Sequence, residues 1–332
     1  MRFEVSENEA GRRLDRVLKK ILKNAPLSFI YRVIRKDVKV NGKRANGDKL
    51  LELGDVVEIF LPEEQINEAA SGGASKAPAA KKQFSVVFED ENVLVVNKPF
   101  GLLTHGDKAE RKNTLSNQVA AYLAGRNAAP IGGADVFRPA PANRLDRNTT
   151  GLVLFGKTLP AARDLAAMLR GGEEGSAYVE KAYLTIVKGR LLKPLTLKAR
   201  MERDRESNTT KVLPEAAGEG RVMATEAAPV AAGDGYTLVE ARLLTGRTHQ
   251  IRAQLAAAGF PVIGDRKYGD AAANKILLNE YRLQAQLLHA YRLTVFKGLR
   301  SLEYLKGKTF KAQPPVRFRE IAEDLGCDMK TK

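Results

Sequence analysis

Two aspartates in this chain sit in the same tetrapeptide, Arg-Leu-Asp-Arg, with different flanks. Asp146 belongs to ANRLDRNTTGLVLFGK (142–157), behind Pro139 and Pro141 and just ahead of the apolar run 152–155. That setting is a loop at the start of a strand. Arg144 and Arg147 flank the carboxylate, and opposite charge favours its ionised form. Such a group can act as nucleophile or base in a reaction on a polyanion. The competing reading is an Asx-turn, with Asp146 and Thr149 bonding the local backbone. Asp15 belongs to GRRLDRVLKKIL (11–22), with no turn or glycine behind it. It reads as a structural residue on an exposed helical turn, favourable to the helix dipole and paired with Lys19 at i,i+4.

The other residues able to do chemistry are few. His105, His249 and His289 share no spacing, which argues against a local metal motif. His249 and His289 read as structural histidines. Cys327 is the single cysteine, so neither an internal disulfide nor a thiolate zinc cage is expected. No phosphate-binding loop and no G-x-G-x-x-G follows a strand, and GGEEG (171–175) lacks the lysine and helix such a loop needs. No cofactor and no metal are expected. TGRTHQIR (245–252) places Arg247 just before a helix N-terminus, a combination that suits an anion.

The elements around these residues follow from periodicity. Leu14, Val17, Leu18, Ile21 and Leu22 recur as one helical face. Ser28 can cap a second helix whose Ile30, Val33 and Ile34 point inward. VKVNGKRA reads as a hairpin, because Asn41-Gly42 is a strong turn signal, and LGDVVEIFLP closes with a strand. FSVVFED, NVLVVNKP, LVLFGKT and YTLVEARLL read as strands. LPAARDLAAMLR reads as a helix with Thr158 as cap, Pro160 in its first turn and Gly171 beyond its end. KAYLTIVKG alternates, with Tyr183, Thr185 and Val187 on one face and Ala182, Leu184 and Ile186 on the other. THQIRAQLAAAG reads as a helix ended by Gly259. Residues 204–235 read as excursions and edge strands. Short strands joined irregularly predict an α+β fold with a mixed, mostly antiparallel sheet.

Residues 63–83, poor in large apolar side chains, read as a flexible linker. They divide a small N-terminal α+β unit (1–62) from a large unit (84–332). The formal charge of the 332-residue chain is +16, with a pI near 9.8. So large an excess points to a polyanionic partner, nucleic acid before membrane. Arg16, Lys19, Lys20, Arg32, Arg35, Lys36, Lys39, Lys43 and Arg44 form a phosphate-contacting face on the small unit. No stretch approaches the roughly 20 apolar residues of a membrane span. The opening MRFEVSENEAGRR carries three glutamates and no apolar run, so no leader is expected and the cytoplasm is the expected location.

NRLDRNTTGLVLFGKT, KAYLTIVKG, LLTGRTHQIRAQLAAAGFPVIGDRKYG and LLHAYRLTV occur in the order found in pseudouridine synthases of the RluA/RluC type. VVNKPFGLLTHG is similar to the strand that opens their catalytic domain, and residues 1–62 resemble the alpha-L RNA-binding domain of the ribosomal protein S-four type. The resemblance covers nearly all of the chain except the linker and residues 204–235. It implies a catalytic aspartate at Asp146, a base-packing tyrosine at Tyr183, an arginine paired with the aspartate at Arg247, and an apolar floor residue at Ile263. Arg144 joins them as a substrate-binding residue. Family members often carry histidine where Asn143 stands, and serine where Thr150 stands. Asn143 argues against proton transfer there and keeps a hydrogen-bonding role. The implied activity is isomerisation of uridine to pseudouridine in ribosomal RNA, most of all large-subunit RNA, by a monomer needing no cofactor. Asp146 would assist glycosidic cleavage as nucleophile or as base. The alternatives are an enzyme acting on transfer RNA and a non-catalytic RNA-binding or ribosome-assembly factor on the same fold.

Overall fold

The computed structural model describes residues 1–22, 25–62, 65–66, 69, 81–107, 110–126, 139–171, 177–204 and 209–327. Its N-terminal part is built from β1 (Arg2–Glu4), α1 (Leu14–Ile21), α2 (Leu27–Asp37), β2 (Val38–Val40), β3 (Lys43–Arg44) and β4 (Val56–Ile59). The strands pair in the order β1-β4-β2-β3. The predicted stripe of α1 is buried, and it packs with Ile30, Val33 and Ile34 of α2 in one cluster. Asn41 and Gly42 both take positive φ in the tight turn between β2 and β3, as the sequence requires.

Two local expectations are corrected here. Ser28 lies inside the first turn of α2, and Pro26 takes the cap position, because its fixed φ of −63° already suits the helix entry. Asp15 is not on an exposed turn. It is buried, and its carboxylate accepts from Arg13 Nη2 at 2.8 Å and from the Tyr31 hydroxyl at 3.3 Å. Its partner is Arg13 in place of Lys19, because Lys19 points to solvent. Most of the 63–83 stretch lies outside the described residues. Within it, Ile66 is buried and Ala69 packs on the N-terminal cluster. Lys82 sits over the Tyr122 ring, and the Gln83 N–H donates to Gln118 Oε1 at 2.9 Å.

The second sheet starts with β5 (Ser85–Glu89), β6 (Val93–Lys98), helix α3 (Leu115–Arg126) and β7 (Thr150–Gly156). Helix α4 (Leu159–Arg170) follows, its Thr158 Oγ1 accepting from Ala161 N. Next come β8 (Val179–Lys188), β9 (Leu195–Asp204), β10 (Thr209–Leu213), β11 (Arg221–Ala232) and β12 (Tyr236–Leu243). Helices α5 (Gln250–Ala257) and α6 (Ala271–Tyr281) precede β13 (Leu288–Val295), β14 (Thr309–Lys311) and helix α7 (Val316–Asp324).

The strand order is β10-β9-β11-β12-β8-β13-β7-β6-β5, with β14 also on β13. Among the described strands only β7 and β13 pair in parallel, so the sheet is mixed and mostly antiparallel. The described part of 204–235, residue 204 and residues 209–235, is more regular than its composition suggests, and residues 205–208 lie outside the described residues. β10 is an edge, but β11 lies inside the sheet between β9 and β12. The alternation of β8 separates two cores. Tyr183 and Val187 join the cluster under α5 and α3, while Leu184 and Ile186 join Phe318 and Ile321 of α7. No helix among the described residues is long and apolar enough to cross a membrane.

Candidate active site

Three strands place the site. Ala290 of β13 faces Tyr183 of β8 on one side and Gly151 of β7 on the other. The Arg144–Thr149 loop enters β7 just before Gly151, so it lies on the sheet close to Tyr183. Gly151 has a φ of 110°, and a Cβ there would collide with the Ala290 backbone. Only glycine permits the strands to approach so closely at this point.

The loop is pinned from beneath. Thr104 Oγ1 donates to Leu145 O at 2.9 Å and accepts from Leu145 N at 3.2 Å. The Lys98 ammonium is fully buried and donates to three carbonyls, Pro99 O, Leu102 O and Arg147 O, at 3.1, 2.7 and 2.9 Å. Burial pulls its pKa down to about 7, and the Asp146 carboxylate opposes that shift. Three carbonyl acceptors match the three protons of an ammonium. Asn143 bonds both ways to β7, donating to Leu152 O and accepting from Leu154 N. Its role is the hydrogen-bonding one.

The Asp146 carboxylate points away from its own loop. Oδ2 lies 3.0 Å from Arg252 Nη1 and 3.8 Å from His249 Nε2. Among the described residues it makes no bond to local backbone, which disfavours the Asx-turn reading. Arg252 donates through Nε and Nη2 to the two oxygens of Asp265, at 2.6 and 2.8 Å. Asp265 is buried and also accepts from Lys267 N and Tyr268 N. Its pKa is lowered: burial raises it, but the Arg252 guanidinium and the two backbone N–H groups outweigh that. His249 adopts a left-handed φ of 55° as α5 begins, and its Nδ1 lies 2.9 Å from the Tyr268 hydroxyl. Burial lowers its pKa, while Asp146 pulls the other way.

Tyr183 is buried under Asp146, and both line one cavity of about 60 Å³ with Leu243, Ile251 and Leu288. The phenol's pKa is raised, first by burial and then by the Asp146 charge. Among the described residues nothing hydrogen-bonds its hydroxyl. Two wider cavities, of about 510 and 690 Å³, adjoin this narrow one and are also lined by Asp146. Arg147, Arg266 and Lys267 line the first, and Arg170, Lys181 and Arg247 the second. Exposed Arg144 lines all three.

Two expectations about the site are corrected by this geometry. The guanidinium paired with Asp146 belongs to Arg252. Arg247 precedes α5, is exposed, and reaches Val222 O at 3.5 Å. Ile263 is no floor to this cavity. It packs with Leu184, Ile186 and Phe318 in the core on the opposite face of the sheet, and Ile251 and Leu288 supply the apolar wall. Lys98, Arg252 and Asp265 escaped the sequence reading, and His249, read there as a structural histidine, stands 3.8 Å from Asp146. Arg252 carries the only charge in α5, inside a run of six buried residues, and that is the one signal it offered.

Thr150 and His289 stand behind the loop. His289 Nε2 lies 2.8 Å from Ala312 O, which can only accept, so Nε2 carries the proton and Nδ1 accepts from Thr150 Oγ1 at 2.7 Å. Burial pushes the His289 pKa down to about 4.

A mixed sheet thus carries the Asp146 loop over the buried Tyr183, between cavities lined by arginine and lysine. Residues 92–257, half of the chain, match the model of the RNA pseudouridylate synthase family, and the chain belongs to that family. Ribosomal large subunit pseudouridine synthase C of Haemophilus influenzae is 32% identical over 298 residues, covering 87% of this chain and 85% of that protein. The protein of the same name from Pasteurella multocida is 33% identical over 293 residues, covering 87% and 84%. The solved structure of human RNA pseudouridylate synthase domain containing 4 shares the fold, with a TM-score of 0.56 at 21% identity, over 77% of this chain and 98% of that one.

Proposed function

We propose that this chain converts uridine to pseudouridine in large-subunit ribosomal RNA, with Asp146 as the catalytic carboxylate. The reaction breaks the bond from ribose C1′ to uracil N1 and joins C1′ to C5. N1 gains a hydrogen, and the C5 hydrogen leaves to solvent. The observation that carries the reading is the Asp146–Arg252 pair at 3.0 Å in a cavity shared with Tyr183. Arg252 orients the carboxylate before the base arrives. The uridine must leave its stack to reach this depth, at a cost of about a few kcal/mol. Stacking on an aromatic ring such as Tyr183 returns roughly 1–3 kcal/mol. The names of the curated relatives support ribosomal RNA over transfer RNA.

Residues 1–62 serve as an S-four-type RNA-binding unit. All nine basic residues of its candidate face are exposed. The enzyme works as a cytoplasmic monomer, and the lone, buried thiol of Cys327 suits a reducing compartment.

The test is tritium release from a large-subunit ribosomal RNA transcript carrying uridine tritiated at C5. The wild-type chain releases tritium. Asp146→Asn releases none, while its RNA affinity stays within severalfold. Full activity in Asp146→Asn would remove Asp146 from the chemistry. Release from transfer RNA alone would reassign the substrate.

A further inference from the structure

A fourth cavity, of about 260 Å³, lies beside the catalytic loop and has no part in the chemistry above. Phe100, Leu283, Leu287 and Phe318 give it apolar walls, and Arg282 and Arg317 stand at it. It shares Asn148 and Gln284 with the 510 Å³ cavity that holds Asp146, so the two cavities adjoin. We propose that it is a second nucleotide subsite, taking an unpaired base of the same RNA strand against Phe100 with a neighbouring phosphate between Arg282 and Arg317. The inference rests on the reading that the substrate is RNA.

Phe100 is 58% exposed on the turn after β6, while Leu102, two residues on, is buried. A phenyl ring left in water at the mouth of an RNA-acting site gains by stacking on a base. Arg282 ends α6 in the left-handed region, with φ 51°. Glycine or asparagine is the usual choice there, because a side chain is strained in that conformation. Here the strained residue presents a cation to the cavity, the kind of outlier that marks a functional position. Arg317 lies in the first turn of α7, and Pro315, the cap at the positive end of that helix, also lines the cavity. Neither arginine makes an ion pair among the described residues, so both charges remain available to phosphate. The exposed Gln284 and the neighbouring Asn148 offer amides to a base edge. A cavity of this size, below the usual range of drug-sized sites, suits one base.

The experiment uses the full chain, in its Asp146→Asn form, with a large-subunit ribosomal RNA transcript containing 4-thiouridine. Irradiation followed by peptide mapping is expected to place crosslinks on Phe100 or on residues 282–288. In the otherwise wild-type chain, Phe100→Ala is expected to raise KM about tenfold with kcat within twofold, and Phe100→Tyr to keep the wild-type KM. Arg282→Gly removes the side chain with its guanidinium while relaxing the left-handed backbone, so it guards against misfolding; it too should raise KM. Absence of crosslinks at this cavity, or wild-type KM in both Phe100→Ala and Arg282→Gly, overturns the subsite. Crosslinks at Phe100 together with no tritium release from the wild-type chain would leave the subsite standing and remove the proposed activity.

Discussion

Arg252 grips Asp265 with two nitrogens, at 2.6 and 2.8 Å, and this leaves only Nη1 to reach Asp146. The fork is planar and rigid, so fixing one edge aims the other. Asp265 is therefore a positioning residue that acts through Arg252.

Asp265→Asn should cut kcat on the order of 10–100-fold with RNA affinity nearly unchanged, since a small misplacement of a reacting group is costly. Asp265→Ala should also destabilise the fold, by about 3–5 kcal/mol, because it strands a buried guanidinium. Paired measurements of kcat and of the urea midpoint separate the two effects. A kcat left intact in Asp265→Asn would show that Arg252 needs no second carboxylate.

Tyr183→Phe should retain more activity than Tyr183→Ala, because the ring does the stacking. Single-turnover rates at saturating RNA compare them. Equal, severe loss in both variants would shift the role from the ring to the hydroxyl.

Replacing Arg32, Arg35 and Lys36 with glutamine removes three exposed cations from α2. If each meets a phosphate, the slope of log affinity against log salt should fall by about 2–3, with kcat at saturation unchanged. Binding titrations at several salt concentrations read this directly. An unchanged slope would show that this face does not meet RNA.

His289 sets a pH dependence on stability. Its folded pKa of about 4 lies below the ordinary histidine value of 6.5, so the unfolded chain takes up a proton first as pH falls. The stabilising contribution is complete above about pH 6.5 and is lost as pH drops toward 4. At its largest it amounts to about 3 kcal/mol. Urea unfolding between pH 7 and 4 should show the wild type losing about that much more than His289→Gln. Parallel losses in the two proteins would place the acid sensitivity elsewhere.

Local chemistry made much of this protein legible in one dimension. The stripe of α1, the Asn41-Gly42 turn, the capped helix α4 and the two-faced alternation of β8 are all properties of neighbouring residues, and the sequence determined them by itself. The Asp146 loop was legible for the same reason, as a charged turn between prolines and an apolar strand. What only the tertiary structure decided depends on distant partners. Arg252 displaced Arg247 because helix phase turns it inward toward Asp265, while Asp146 comes from 106 residues earlier in the chain. Ile263 fell on the far face of the sheet because its N–H pairs with Ile186 O, on the side of Leu184 and away from Tyr183. Asp15 became buried because Arg13 and Tyr31 close over it. Spacing along a chain fixes which residues share a strand or a turn; burial and charge pairing are settled only when separate elements pack.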